Sequence, residues 1–434
     1  MKIVVTDLDG VLRGKIISKE KCIEALNSSL CFCDVIFGWD INDACYTDTS
    51  FSGWHKGYPD LELFIDENTI RYVPWDGNIP LLIADLSGKN TIDSVCPRTL
   101  LKNVAAECKA MGYNPLFAHE LEWYNFKEDA QTLKEKSYKN ISPLTSGMFG
   151  YSILRPTQYS EYFNSIHQLM LSYGIPIEGM HTETGPGVYE AAIKYDSILN
   201  AADKSVLFKA GVKEIAAKHG IMASFMAKWN MNFPGSGGHI HQSIWDAETN
   251  HNIFYDATDK YRMSEKCKQY LAGQLYCLPF ILPMYAPSIN SYKRLLKGTW
   301  APTTVSWGID NRTASLRLIN RDEHAIRVET RVPGADVNPY LGMAASLASG
   351  LYGIKHKLKL KQKPVNGNAY SDESLTALPS TLLEAVDKMK SSSLPQELFG
   401  KTFTKHFIQT RQWEIEQYKL HVSEWELNRY LEIV

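Results

Sequence analysis

The pattern of apolar residues changes character once along this chain, near Pro97, and that change limits the folds open to it. Before it lie short β-type runs, Ile3–Asp7, Val35–Trp39, Glu62–Ile65, Ile70–Val73 and Leu81–Asp85, separated by Gly, Pro, Asn and Asp. The spacing predicts one helix among them, about Lys19 to Ser28. Beyond it, Pro97–Met111 is amphipathic, opening on Pro and closing on Gly112. Further helices are expected at Thr157–Tyr173, Asp203–His219, Glu265–Leu278, Pro339–Lys357 and Phe407–Leu427. Short strands are expected between them, at Asn114–Glu122, Val188–Tyr195, Ile221–Met226, His239–Trp245, Ser315–Leu318 and Ala325–Arg331. The polar stretch Glu128–Ser142 reads as a surface loop, and no internal repeat is present. The expected organisation is a small β-rich domain over residues 1–100 and a larger α+β domain over residues 101–434.

Composition narrows the function classes. The 434 residues are 44% apolar and 22% charged, with a formal net charge of −2, so no basic surface points to nucleic acid. No Lys/Arg block suggests a membrane face. The longest apolar stretch, roughly Leu271 to Pro287, is broken by Gln274 and three prolines and is too short to span a bilayer. The opening MKIVVTDLDG reads as a strand entering a turn, without the apolar core of a signal peptide. Eight cysteines are scattered, only Cys31 and Cys33 lie close together, and no paired CxxC offers a zinc site. A cytoplasmic protein with reduced thiols is the expectation.

One early motif is ambiguous. Asp7-Leu8-Asp9-Gly10 imitates the Asp-x-Asp nucleophile segment of haloacid-dehalogenase-type phosphatases, where one carboxylate attacks phosphorus and the other moves the proton. That chemistry needs a doubly wound α/β domain downstream, and the runs that follow look antiparallel. A hairpin turn at Asp9-Gly10, with Arg13-Gly14-Lys15 opening the returning strand, is the better reading.

Acids and histidines recur in four later segments. Glu120 and Glu122 alternate on an expected strand, so both carboxylates face one way. Glu183 and Glu190 flank a Gly185-Pro186-Gly187 loop that could fold them together. His239 and His241 share a strand face after the glycine-rich approach Gly235-Ser236-Gly237-Gly238, and Glu329 sits between Arg327 and Arg331. Each segment alone is commonplace. Together they make an oxygen-rich donor set with imidazole, which suits Mg²⁺ or Mn²⁺ and not zinc. Two such ions are what phosphoryl transfer from ATP often uses.

Taken in order, these segments resemble the signature segments of the glutamine synthetase family. The E-x-E strand is matched by Glu120 and Glu122, the E-x₆-E loop by Glu183 and Glu190, and G-x-G-x-H-x-H-x-S by Gly235 to Ser243. An arginine cluster follows at Arg294, Arg312, Arg317, Arg327 and Arg331, then Asn338-Pro339-Tyr340-Leu341, so the matches run from about residue 37 to 350. The resemblance implies a small β-grasp-like domain and a large catalytic domain with a curved antiparallel sheet. It implies ATP and two ions, one held by Glu122, Glu183 and Glu190 and one by Glu120, His239 and Glu329. It further implies that Arg294 and Arg331 grip a substrate α-carboxylate beside Gly235, and that Arg312, Arg317, Arg327 and His241 face the phosphates. Ser243 would lie on the adenine side, with the Tyr195 ring stacked on the base. Glutamate would be activated as an acyl phosphate and joined to an amine, within a homo-oligomeric ring, a hexamer or two stacked hexamers.

The departures from the family pattern point to the amine. Glutamine synthetases carry a glutamate six residues after the first substrate arginine, which helps bind ammonium and takes up its proton. Here that place holds Trp300. An ammonium pocket built from carboxylates cannot keep its electrostatics with an indole there, and an organic amine would suit it better. Pro234-Gly235 replaces Asn-Gly, and Ser288–Tyr292, Trp307–Arg312 and Phe225–Lys228 look more like glutamate–putrescine ligases and related γ-glutamylamide synthetases. Asp40 corresponds loosely to the aspartate of the family's ammonium-site loop. The leading expectation is a γ-glutamyl–amine ligase with Arg312, Glu183, Trp300 and Asp40 at its reaction centre. An ordinary glutamine synthetase and a catalytically silent structural relative remain as alternatives, and the amine is open between polyamine, alkylamine and aromatic amine.

Overall fold

The computed structural model describes residues 1–86 and 94–434. A mixed five-stranded sheet comes first, from β1 (Lys2–Thr6), β2 (Leu12–Ile16), β3 (Leu30–Cys33), β4 (Asp60–Val73) and β5 (Ile79–Asp85), in the order β2-β1-β5-β4-β3. Only β1 and β5 run parallel. Helix α1 (Lys19–Leu26), capped by Ser18, lies between β2 and β3. The Asp7–Gly10 turn joins β1 to β2 as a hairpin. Asp7 is spent on that turn: its Oδ1 accepts the Asp9 and Val11 amides at 3.0 and 2.9 Å, and its Oδ2 pairs with Arg13 at 2.9 Å. A buried carboxylate so occupied is no phosphatase nucleophile.

Helix α2 (Pro97–Ala110) leads into the long strand β6 (Tyr113–Phe126), the spine of a nine-stranded sheet. Its path runs β12 (Trp307–Ile309), β13 (Leu316–Ile319), β14 (Arg327–Thr330), β11 (Gly238–Asp246), β6, β8 (Val188–Ile193) and β7 (Ile177–Thr182), and β9 (Asp196–Ser197) and β10 (Met222–Ser224) also pair with β6. After α3 (Ala130–Glu135), α4 (Leu154–Gln158) and α5 (Ser160–Ser172) come β7 (Ile177–Thr182), β8 (Val188–Ile193) and the short β9 (Asp196–Ser197). Helix α6 (Ile198–Lys218) packs behind β6; β10 (Met222–Ser224) and β11 (Gly238–Asp246) follow, each antiparallel to β6. Then come α7 (Glu265–Ile281), α8 (Ser291–Arg294), β12 (Trp307–Ile309), β13 (Leu316–Ile319), β14 (Arg327–Thr330) and α9 (Pro339–Lys355). Helices α10 (Leu382–Lys390), α11 (Leu394–Phe399), α12 (Lys401–Lys419) and α13 (Glu424–Tyr430) complete the described chain. Among the described residues no helix is long and apolar enough to cross a membrane.

Alternation along two strands separates the core from the site. On β6, Phe117, His119, Leu121 and Trp123 are buried, Trp123 against Phe208 of α6, while Glu120 and Glu122 project from the opposite face. On β11, Ile240, Gln242 and Ile244 point into the core, where Gln242 meets Tyr270 and Gln274 of α7; His239 and His241 share the face of the two glutamates. One apolar core runs from Ile3, Val5 and Leu82 of the small sheet through Phe117 and Ile240 to α7 and α9.

Several expectations need correction. Val35–Trp39 is not a strand: Asp34–Phe37 forms a 3-10 turn that buries Ile36 and Phe37, with Phe37 O accepting His406 Nε2 of α12 at 2.8 Å. The runs at Glu62–Ile65 and Ile70–Val73 are one strand, kinked between Asp66 and Arg71, where Thr69 Oγ1 donates to Asp66 O at 2.6 Å. The Glu128–Ser142 loop contains α3, nucleated by a capping box between Asp129 and Thr132. The expected helix Phe407–Leu427 starts earlier, at Lys401, and breaks after Lys419; Ser423 then caps α13. Strand β7 has no alternating apolar run to announce it, because only Ile177 and Thr182 are buried.

Candidate active site

Cross-strand register brings the acids and histidines together. His239 stands opposite Glu120, Glu190 opposite Glu122, and Glu329 opposite His241, all on the face of the large sheet turned away from the apolar core. Glu183 joins them through the turn after β7, which sets His181 opposite Glu190. His181 Nε2 lies 3.1 Å from Glu183 Oε1 and 3.3 Å from Glu190 Oε1, and the Tyr151 ring stacks on this imidazole at 4.5 Å, 8° from parallel. Two glycines make the approach possible. A Cβ on Gly237 would stand 2.7 Å from His239 Nε2 and 2.8 Å from Glu122 Oε1, and one on Gly235 would stand 2.7 Å from Arg294 Cγ. Glycine is therefore the residue that lets the loop pass over the acids while its amide serves them: Gly237 N donates to Glu122 Oε2 at 2.8 Å.

The crowding of carboxylates bears hardest on Glu190. Burial, with Glu120, Glu122 and Glu183 close by, pushes the Glu190 carboxyl up to about 11. Burial opposes ionisation of Glu120 as well, but the adjoining His239 and His241 rings hold it well below the usual range. Glu329 is deeply buried, yet Arg331, His241, His239 and Arg317 bring it down to about 2. Ligand atoms of Glu120, Glu190 and His239 lie within 4.8 Å of one another, as do those of His181, Glu183 and Glu190. Among the described residues His239 Nδ1, which is buried, has no hydrogen-bond partner, and it lies 3.6 Å from Glu120 and 3.5 Å from Glu329. An orphaned imidazole nitrogen between crowded carboxylates fits a hard divalent cation.

Arginines line the same cleft, whose volume is about 730 Å³. Arg294, buried at the end of α8, is held by Val332 O at 2.9 Å and Arg331 O at 3.3 Å. Arg317 Nη1 donates to Glu329 Oε2 at 2.9 Å, and Arg331 pairs with the same carboxylate. Arg327 Nε donates to His241 Nδ1 at 3.2 Å, and Arg312 is exposed at the rim. Residues 94–430 match the model of the glutamine synthetase catalytic domain. The chain belongs to the glutamine synthetase family. It is 47% identical to the type-1 glutamine synthetase 2 of Dictyostelium discoideum, over 100% of this chain and 84% of that protein. It is 38% identical to the glutamate–isopropylamine ligase of a Pseudomonas species, over 100% and 95%. A solved structure described as a GmaS/ADP complex superposes with a TM-score of 0.85 at 26% identity, covering 99% of this chain and 96% of that one.

As a glutamine synthetase family enzyme the chain is an ATP-dependent ligase, and its α+β fold is that of the family. Members of the family use ATP and divalent metal ions, and the acidic groups above could bind metal. Of the residues singled out in the sequence, Glu120, Glu122, Glu183, Glu190, Gly235, His239, His241, Arg294, Trp300, Arg312, Arg317, Arg327 and Arg331 all line this cleft. Glu329 lies just behind them. Ser243 sits further along β11, its hydroxyl accepting Trp245 Nε1 at 2.9 Å; Tyr195 is exposed beside β9, which pairs with the same stretch of β6. Asp40 is elsewhere: its carboxylate accepts Trp413 Nε1 at 3.0 Å on the wall of a separate cavity of about 820 Å³. Tyr151, His181, Thr299 and Arg321 also line the cleft without having been singled out. His181 stood two residues before Glu183, and period-two alternation could have flagged it; nothing in the sequence around Tyr151 marks it.

Proposed function

We propose that this enzyme joins the γ-carboxyl of glutamate to the nitrogen of an organic amine, using ATP and two divalent ions. The observation that carries the reading is Trp300. It lines the cleft with 62% of its surface exposed, six residues beyond the buried Arg294, where an ammonia-using relative needs a carboxylate. The name of the Pseudomonas relative, a glutamate–isopropylamine ligase, supports it.

In this reading Arg294 and Arg331 hold the glutamate α-carboxylate in two-point fashion, with Gly235 leaving room for it. A γ-carboxylate oxygen attacks the terminal phosphorus of ATP and ADP leaves. Arg312, Arg317, Arg327 and His241 stabilise charge on the phosphoryl group in flight. The amine nitrogen then attacks the acyl carbon, the C–O bond to phosphate breaks, and the departing phosphate takes the proton that the nitrogen gives up. Glu122, Glu183 and Glu190 would hold one cation, and Glu120, His239 and Glu329 the other. These cations supply charge neutralisation for the phosphates and the acyl group. Tyr195 and Ser243 take the adenine side. The subunits form a ring, a hexamer or a double hexamer, in which Asp40 reaches the cleft of a neighbouring subunit.

Phosphate release from ATP, Mg²⁺ and glutamate is the test, across ammonium, alkylamines, polyamines and aromatic amines. Release with an organic amine and little with ammonium supports the ligase. The name of the Dictyostelium relative favours the second reading, an ordinary glutamine synthetase, and release with ammonium alone would establish it.

A further inference from the structure

His181 meets the acid cluster in a way that hydrogen bonding alone does not require. One ring nitrogen, Nε2, faces two carboxylates at once, Glu183 Oε1 at 3.1 Å and Glu190 Oε1 at 3.3 Å. A ring N–H points in one direction and serves one acceptor well. A cation between the three atoms serves them all. Neighbouring ligand atoms on an octahedral ion of Mg²⁺ size, each about 2.1 Å from it, stand about 3.0 Å apart, close to both spacings. Among the described residues Glu122 belongs to neither metal-sized group, and its Oε2 already accepts the Gly237 amide at 2.8 Å. The aim of the His181 ring is fixed from two sides. Strand register sets it opposite Glu190, and the Tyr151 ring lies flat upon it, 8° from parallel. Thr182, the next residue, ties down the loop that brings Tyr151: its carbonyl accepts the Tyr151 amide at 2.7 Å, and its hydroxyl accepts the Ser152 amide at 2.9 Å and donates to Phe149 O at 3.0 Å.

We infer that His181 is a direct ligand, through Nε2, of the cation that Glu183 and Glu190 hold, and that its imidazole tilts that site from Mg²⁺ toward Mn²⁺. The inference rests on the cation-binding part of the ligase reading and adds a nitrogen ligand to it. Carboxylate oxygens suit both ions. Imidazole is a softer donor, which adds affinity for a first-row transition ion and little for Mg²⁺. The Tyr151 ring keeps the imidazole edge turned to the carboxylates, the part that an outer partner plays at a metal-binding histidine.

The experiment reads metal binding by the assembled enzyme with no glutamate, nucleotide or amine present. Mn²⁺ is titrated through its EPR signal, and Mg²⁺ by competition, on the parent and on His181→Gln, which offers an oxygen in place of the nitrogen. One class of Mn²⁺ site is expected to weaken by about tenfold or more, with its Mg²⁺ affinity changed by less than about threefold. An equal loss for both ions would make His181 a hydrogen-bond partner of Glu183 and overturn the inference, as would no loss. Pulsed EPR on protein with ¹⁵N-labelled histidine, at one Mn²⁺ per chain, gives a second reading. His239→Gln should still show a directly bound imidazole nitrogen, and His239→Gln combined with His181→Gln should show none. No bound imidazole in the first, or a surviving one in the second, overturns the inference. The ligase reading stands or falls separately, on phosphate release across the amines.

Discussion

At the scale of single residues, the site depends on acids and imidazoles that share one strand face. Glu120 with Glu122, and His239 with His241, sit two apart on strands, so period-two alternation alone places each pair on one face. What spacing cannot convey is which loops fold over that face, and Tyr151 arrives from such a loop, between α3 and α4. Gly235 gives the sharpest test of the loop packing. Gly235→Ala adds a methyl 2.5 Å from Ala227 O and 2.7 Å from Arg294 Cγ, so the guanidinium must shift. The expected result is a KM for glutamate raised by about tenfold, roughly 1.4 kcal/mol, with a smaller change in the KM for ATP. Trp300 carries a second prediction. Its φ is +61°, a left-handed conformation that costs a bulky residue on the order of 1 kcal/mol. Trp300→Asn should melt no lower than the parent while losing preference for alkylamines over ammonium. A large fall in melting temperature would show that the indole packs structurally rather than waiting for substrate.

At the scale of elements, long helices and the E-x-E strand were readable from periodicity, but short pieces held by tertiary contacts were not. The turn at Asp34–Phe37 shows why: its apolar run fits a strand, and what makes it a turn is a partner some 370 positions later, His406 of α12. That contact has a pH signature. Burial drives the His406 imidazole down to about 4, against about 6.5 for a free histidine. The unfolded chain therefore takes up a proton that the folded one refuses between those values. The contribution is present above pH 6.5 and is lost as pH falls toward 4, on the order of 3 kcal/mol in all. His406→Gln keeps an amide donor for Phe37 O and cannot titrate in that range. Urea midpoints at pH 7.5 and 5.0 should differ less in this variant than in the parent; an unchanged difference would remove His406 from the account.

At the scale of the whole molecule, the two sheets are tied by more than chain connectivity. Arg98 of α2 is buried among three carboxylates: Asp66 of β4 at 2.8 Å, Asp85 of β5, and Asp203 of α6 at 2.9 Å, with the Tyr340 hydroxyl of α9 donating to Asp203 at 2.6 Å. Asp9 in the first hairpin pairs with Arg411 of α12 at 2.7 Å, and Asn338, which caps α9, donates to Asp7 O and Leu8 O. The Asp-x-Asp segment that imitates a phosphatase is thus a clasp. Asp7→Asn should keep most ligase turnover, whereas Glu122→Ala should abolish it, and the reverse result would sink the proposed site. Sharing of sites between subunits has its own test. If Asp40 serves a neighbour, co-assembled Asp40→Asn and Glu122→Gln subunits, each inactive alone, should recover part of the parent activity; no recovery would confine each site to one chain. The Arg98 knot also bears on how the chain can be cut. The segment matching the catalytic-domain model begins at residue 94, yet a fragment starting there would keep the guanidinium and lose Asp66 and Asp85, and it would bare the apolar faces that meet Ile3, Val5 and Leu82. The boundary by which the chain is recognised is therefore no place to divide it: expressed alone, the catalytic segment would be an orphaned half of a jointly buried core.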